Sequence, residues 1–269
     1  MLNCLFVELR EGVKTLRHAL RAFVKTEFNP TPPRLHVFTS PRLYEIYKIG
    51  TLAHLLIGTL KKCVFLHFVN SWKVYFDAEL FADFLTHREV TWLGVDFSKA
   101  KFTRSGFQLP QEVLLRYLND WNMLIISDQK KYDVRMSFRK PIMQYDLSWV
   151  TKRNKTLKIN NMLSEFITID AVYSDEAVID YIQKSNFPKT TPYALLFMVE
   201  SFDEHTKLGT VWVVLIHAED HKVVLCEKFM KSPSGFGLRN YWGRVFYNLF
   251  FDIQKYAFPR WENLVKVES

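Results

Sequence analysis

Three apolar runs in the carboxy-terminal third of the chain set the tightest limit on what it can fold into. YALLFMVESF (193–202), TVWVVLIHA (210–218) and VVLCEKFMK (223–231) are joined by DEHTKLG and EDHK. The runs are rich in β-branched and aromatic residues, and polar links of seven and four residues suit antiparallel hairpins. Leu195 to Val199 and Val211 to Ile216 are apolar at every position. A strand with one wet face alternates, so these two are expected to be central strands covered on both sides.

Other segments supply the covering layers. VTWLGVDF (90–97) and FITIDAVYS (166–174) read as further strands. Pro110 opens a helix over 111–125, with Val113, Leu114, Tyr117, Leu118 and Trp121 on one face. Ser174 is an N-cap for a short helix running to about Lys184. After SPSGFG (232–237), the spacing of Leu238, Tyr241, Trp242, Val245, Phe246, Leu249 and Phe250 predicts a helix of about twenty residues. The expected class is α/β (α+β): a mixed or largely antiparallel sheet, three consecutive hairpin-linked strands, and a long carboxy-terminal helix packed on it. Residues 89–258 form the domain, built from two related halves at 89–128 and 166–258, with 259–269 as a tail.

Residues 1–88 read as a helical amino-terminal extension. Val13, Leu16, Leu20 and Phe23 recur at helical spacing opposite Lys14, Arg17, Arg21 and Lys25, and NPTPPR (29–34) breaks that helix. LAHLLIGTL (52–60) is too short to span a bilayer, so no transmembrane segment is expected. Lys61 and Lys62 followed by CVFLHFV (63–69) have the shape of the first two regions of a signal peptide, without a small-x-small cleavage site. Two readings are open. Translation starting near Leu60 would make the protein exported and remove the first sixty residues; otherwise residues 43–85 are helices packing on the domain in a cytoplasmic protein.

The formal charge of +8 is unevenly spread. Between Gln129 and Lys158 lie Lys130, Lys131, Arg135, Arg139, Lys140, Lys152, Arg153, Lys155 and Lys158, opposed only by Asp133 and Asp146. Such a patch attracts nucleic acid or another anionic surface; the competing expectation is a solvated connector between the two halves. With 48% hydrophobic residues the chain excludes a disordered class, and 23 Phe beside 12 Tyr and 7 Trp imply a heavily packed core, a sticky surface, or both. Three cysteines, Cys4, Cys63 and Cys226, exclude a disulfide framework or a zinc site.

Candidate chemistry is sparse. In the simplest register of the EDHK hairpin, Cys226 faces Leu215, and His217 sits diagonally beside it on the same face. No third residue orients the pair, so a buried structural cysteine is expected and no catalytic residue is assigned. His217, Glu219, Asp220 and His221 flank a turn, where their donors do not converge; no metal and no cofactor is expected. Gly235 and Gly237 expose backbone amides before a helix whose first turn holds Arg239 and Asn240, a candidate anion site. The third glycine and the Gly-Lys-Ser/Thr ending of the phosphate loops are missing, and a tight strand-to-helix connection competes. GFGLRNYW (235–242) also imitates the aromatic RNA-binding strand, but its apolar spacing is helical, so its rings would not line a sheet. Asp96, Asp170, Asp203 and Glu204 stay unassigned.

WLGVDFSKAKF (92–102) and SGFGLRNYWGRVFYNLF (234–250), with the three strands between them, resemble a family of uncharacterised exported proteins of Bacteroidetes-type bacteria. There the tryptophan-bearing strand follows a cleaved signal peptide, and a Gly-Phe-Gly-aromatic-Arg-Asn-Tyr-Trp helix ends the chain. The likeness covers roughly residues 88–258; Leu238 stands where that family has an aromatic. The succession of helix, three antiparallel strands, glycine-containing link and final helix is also distantly similar to the amino-terminal domain of TolB and the curli-export lipoprotein. These resemblances imply a non-enzymatic interaction module of the cell envelope or periplasm, partnered by another protein through an aromatic surface. The alternative is an intracellular binder of nucleic acid or another anionic surface, using the 129–158 stretch.

Overall fold

Strands that are apolar at every position need cover on two sides, and two helical layers provide it. The computed structural model describes residues 74–167 and 174–268. The chain divides after Cys63, and all described residues belong to the second unit, Val64–Ser269. The predicted amino-terminal helix and the 61–69 segment lie outside the described residues, as does most of the strand expected at 166–174.

In chain order the elements are β1 (Tyr75–Phe76), α1 (Ala78–Thr86), β2 (Glu89–Asp96), β3 (Lys101–Thr103), α2 (Gln111–Ser127), α3 (Val134–Ser137), β4 (Ile142–Tyr145), α4 (Ser148–Lys155), β5 (Leu163–Ser164), α5 (Asp175–Gln183), β6 (Tyr193–Asp203), β7 (Leu208–His217), β8 (Lys222–Lys231), α6 (Leu238–Asp252) and α7 (Phe258–Glu268). They build one mixed sheet in the order β1-β8-β7-β6-β2-β4. β6, β7 and β8 are antiparallel hairpins, whereas β2 runs parallel to both β6 and β4. β3 takes over beside the end of β6, with β5 parallel to it. The fold is α/β, with the three hairpin strands and the terminal helix where the pattern of residues placed them.

The thicker layer packs α1, α2, α6 and α7 on the sheet, burying Phe84, Trp121, Trp242 and Trp261 against Phe197, Val213 and Leu225. On the opposite face, α4 and α5 bring Val150, Val178 and Ile182 onto Leu93, Leu196 and Val214. Each large side chain buried this way contributes about 1.5–3 kcal/mol before ordering entropy is charged against it. Phe202 stacks on Trp242 with ring centroids 4.6 Å apart and on Phe102 at 5.4 Å, which ties β6, α6 and β3 together.

Several boundaries move. Phe81 and Phe84 before residue 89, and Trp261 after 258, are fully inside the core, so the packed unit is wider than 89–258. The stretch 129–158 is no connector: it forms α3, α4 and β4, and β4 joins the sheet. The segments 89–128 and 166–258 share that sheet, since β2 pairs directly with β6. The terminal helix does not stop at Pro259. A proline clashes with the carbonyl four residues back, and a π turn over Ile253–Ala257, closed by the Phe258 N–H on the Ile253 carbonyl, absorbs it so that α6 runs on into α7.

β2 carries a bulge between Trp92 and Gly94, and Gly94 has φ of +103°. Beyond the bulge β4 has ended, and two buried asparagines pair the exposed edge in its place. Asn122 of α2 accepts from the Val95 N–H at 2.7 Å and donates to the Val95 carbonyl at 2.9 Å. Asn154 of α4 accepts from the Phe97 N–H at 3.0 Å and donates to the same Val95 carbonyl at 3.0 Å. A Cβ on Gly94 would stand 2.6 Å from Asn122 Oδ1. Asn122→Leu is therefore expected to cost about 2–4 kcal/mol, since it leaves the Val95 amide unpaired in the core; urea denaturation followed by tryptophan fluorescence checks it.

Candidate functional site

The nucleophile–base pairing considered at Cys226 and His217 does not form. A bulge between Leu215 and Ile216 shifts the hairpin by one residue, so Cys226 faces Val214 rather than Leu215. Side chains alternate across a strand, and the shift sends the two groups to opposite faces. Cys226 is fully buried on the α4–α5 side, and burial pushes its thiol far above the usual range. His217 instead pairs with Asp220 at 2.7 Å and packs on the Tyr193 ring. Among the described residues no three His, Cys, Asp or Glu side chains converge as metal ligands.

Four carboxylates are buried among the described residues: Asp203 closes the β6–β7 turn by accepting from the His205 N–H at 3.0 Å and the Thr206 hydroxyl at 2.7 Å, and the other three hold elements together. Asp96, 1% exposed at the end of β2, accepts from the Tyr181 hydroxyl and from the Ser98 N–H and Oγ at 2.8 and 3.0 Å. Arg153 lies 3.9 Å away, its guanidinium over Trp149 and Tyr181. Burial, then the Asp96 charge, drives the Tyr181 hydroxyl well above the usual tyrosine range, so it stays protonated. Glu200 accepts from Trp212 Nε1 at 2.6 Å and pairs with Lys228 at 3.0 Å; burial raises its carboxyl, against the pull of Lys228 and Trp212. Glu227 accepts from Arg260 at 2.5 Å and Trp261 Nε1 at 2.7 Å. Asp96, Glu200 and Glu227 each fasten a helix or a neighbouring strand to the sheet.

The basic patch divides in two. Lys140 is 3% exposed; its ammonium donates to the Phe84 and His87 carbonyls at 2.5 and 2.7 Å, closing the end of α1, and stands 3.7 Å from the Phe84 ring centroid. Arg139 pairs with Glu262, and Arg153 serves Asp96. These three belong to the fold rather than to a binding surface, because helix ends and buried carboxylates need cations nearby. Lys130, Lys131, Arg135 and Lys152 are exposed.

At the candidate anion loop, Gly235 and Gly237 both have positive φ, +111° and +76°, and Arg239 and Asn240 are exposed in the first turn of α6. Trp121 Nε1 donates to the Arg239 carbonyl at 2.9 Å, anchoring that turn. The residue held between the glycines is what stands out. Phe236 is 96% exposed, presented by two conformations that side-chain-bearing residues avoid. Parallel strands bring their carboxyl ends together, and β8 runs parallel to β6, so Phe236 shares its end of the sheet with the β6–β7 turn. There Phe166, 80% exposed, stacks on His205 at 5.5 Å. The side chain between the glycines is a more conspicuous feature of the GFG segment than its backbone amides.

No family model matches this chain, and no curated protein matches it. Among solved structures, a hypothetical protein from Chlamydia trachomatis matches with 13% identity over 67% of this chain and 99% of that one, at a TM-score of 0.27. A score that low fixes neither fold nor role.

Burial holds the Lys140 ammonium down to about 8. A folded-state pKa below the unfolded value means that the unfolded chain binds more protons between pH 8 and 10, so this residue's contribution to stability grows as pH rises through that window. Lys140→Met is expected to cost about 2 kcal/mol at pH 7.5, since the His87 carbonyl is left without a donor and the Phe84 carbonyl keeps only the His87 N–H. The deficit relative to the parent chain should widen at pH 9.5, as urea melts at the two pH values would show.

Proposed function

We propose that this chain is a non-enzymatic interaction module of the cell envelope or periplasm, binding another protein through the aromatic end of its sheet. The observation that carries the reading is Phe236, held out between two positive-φ glycines. Large exposed aromatics act as anchors in protein interfaces. Phe166 on His205 adds a second ring at the same end. The groups best suited to catalysis, namely Cys226, Asp96, Glu200 and Glu227, are enclosed or bonded within the fold, which favours a binding role over a chemical one. Among the described residues no helix is long and apolar enough to cross a membrane.

A photo-crosslinking residue at position 236 is expected to capture a discrete protein partner in the envelope fraction, with Phe236→Ser leaving stability within about 0.5 kcal/mol of the parent chain because the ring touches no core. Amino-terminal sequencing of native protein from that fraction should read a start downstream of residue 60. Crosslinks only to random abundant proteins, together with an intact Met1 in the cytosol, would remove the reading.

The second reading, a nucleic-acid or anionic-surface binder, has one specific observation in its favour. Lys131, from the basic stretch, stands 5.2 Å over the Tyr132 ring, and Arg244 stacks 4.0 Å over Tyr247 beside it. Burial and Asp128 push the Tyr132 hydroxyl up to about 12, while Arg244 and Arg239 pull it down, so cations from two distant segments gather around one aromatic pair. On this reading, affinity for a labelled single-stranded oligonucleotide falls steeply between 50 and 200 mM salt, by roughly tenfold or more, and falls further in Lys131→Glu.

A further inference from the structure

We propose that the outer edge of β4 is a second docking site, which takes up an extended acidic segment of a partner protein as an added strand. This goes beyond the Phe236 surface and does not rest on it.

Among the described residues β4 ends the sheet on its side. Its ladder to β2 uses alternate residues: the Ile142 N–H donates to the Arg88 carbonyl at 3.2 Å, and the Asp146 N–H to the Trp92 carbonyl at 3.1 Å. Successive residues of a strand address opposite neighbours, so the N–H and C=O groups of Met143 and Tyr145 point away from the sheet. Edges are normally guarded by an internal charge, a proline or a bulge. Within Ile142–Tyr145 there is none of these, and Ile142 is 43% exposed.

Alongside this edge runs a groove of about 520 Å³, floored by Ile142, Met143 and Tyr145 and walled by the link from α2 to α3. The link carries Lys130, and Arg135 of α3 extends the wall. Among the described residues neither has an ion-pair partner, whereas Asp133, the acidic group of the groove, caps α3 by accepting from the Met136 N–H at 2.9 Å. Backbone groups open to a strand, an apolar floor and an unbalanced positive wall together select an occupant: an extended peptide alternating apolar side chains with acidic ones. A neutral or basic strand would satisfy the backbone but meet the wall unfavourably.

Selection of a displayed library of random nine-residue peptides against the purified full chain tests this. The expected winners alternate apolar and acidic residues, and their binding protects the Met143 and Tyr145 amides from hydrogen exchange. Their affinity should fall about tenfold or more in Met143→Pro, which removes an outward N–H and no bond of the β2 ladder. It should also fall in Arg135→Glu and Lys130→Glu, exposed changes that keep the fold if the proline variant does not. The proposal is overturned if no binder emerges, if the winners lack acidic residues, or if their affinity ignores the charge reversals. It is likewise overturned if a single-stranded oligonucleotide occupies the same groove in preference, or if the edge pairs with a second copy of the chain, seen as a concentration-dependent dimer in sedimentation. None of these outcomes touches the crosslinking result at position 236, so the two surfaces stand or fall separately.

Discussion

The pairing of β2 beyond its bulge is the constraint on which the rest of the structure depends. At Gly94 the strand departs from regular pairing, just where its outer neighbour β4 ends. Polar backbone at that depth cannot be left bare. Asn122 and Asn154 act as a substitute strand, one reaching from the thick helical layer and one from the thin layer. Because both meet at Val95, the positions of α2 and α4 are set relative to each other as well as to the sheet. The end of β2 then delivers Asp96 to Tyr181, which fixes α5 as well.

Three of the buried carboxylates follow the same logic. A buried ion pair adds little net stability compared with a well-packed apolar pair, yet breaking one leaves a charge stranded. Asp96, Glu200 and Glu227 therefore act less as sources of stability than as registration pins. A helix that slipped by one turn would strand a carboxylate, so alternative packings of these aromatic-rich layers are penalised. Large aromatic cores are otherwise tolerant of rearrangement, since rings stack in several geometries of similar energy.

Local features were readable in the residues, and distant ones were not. The three hairpin strands, the start of α2 at Pro110 and the Ser174 cap of α5 follow from period and from capping chemistry, which depend on near neighbours. β4 was invisible because Ile-Met-Gln-Tyr has no strong strand signature; it is a strand because the edge of β2 offers it partners. The roles of Asn122, Lys140 and Asp96 come from residues 27, 53 and 85 positions away, a separation no spacing rule reaches. A single extra residue at Val224 was enough to reverse the geometry inferred for Cys226 and His217. At the candidate surface the Gly-Phe-Gly pattern suggests an anion loop or an imitation of an aromatic RNA-binding strand, and neither pattern tells that Phe236 stands free of the core.

The π turn before Pro259 has a consequence for how this chain tolerates change in length. In a regular helix each residue advances the buried face by about 100°. The turn holds one residue more than an α-helical turn would, so α7 is rotated out of phase with α6, and it is this rotated phase that lays Trp261 and Arg260 on Glu227. Removing one residue here would take away the turn that accommodates Pro259 and swing the Glu227 ligands away from the sheet. The segment thus works as an angular adjustment between two halves of one long helix, and the length of the chain there is as much a part of the design as its residues.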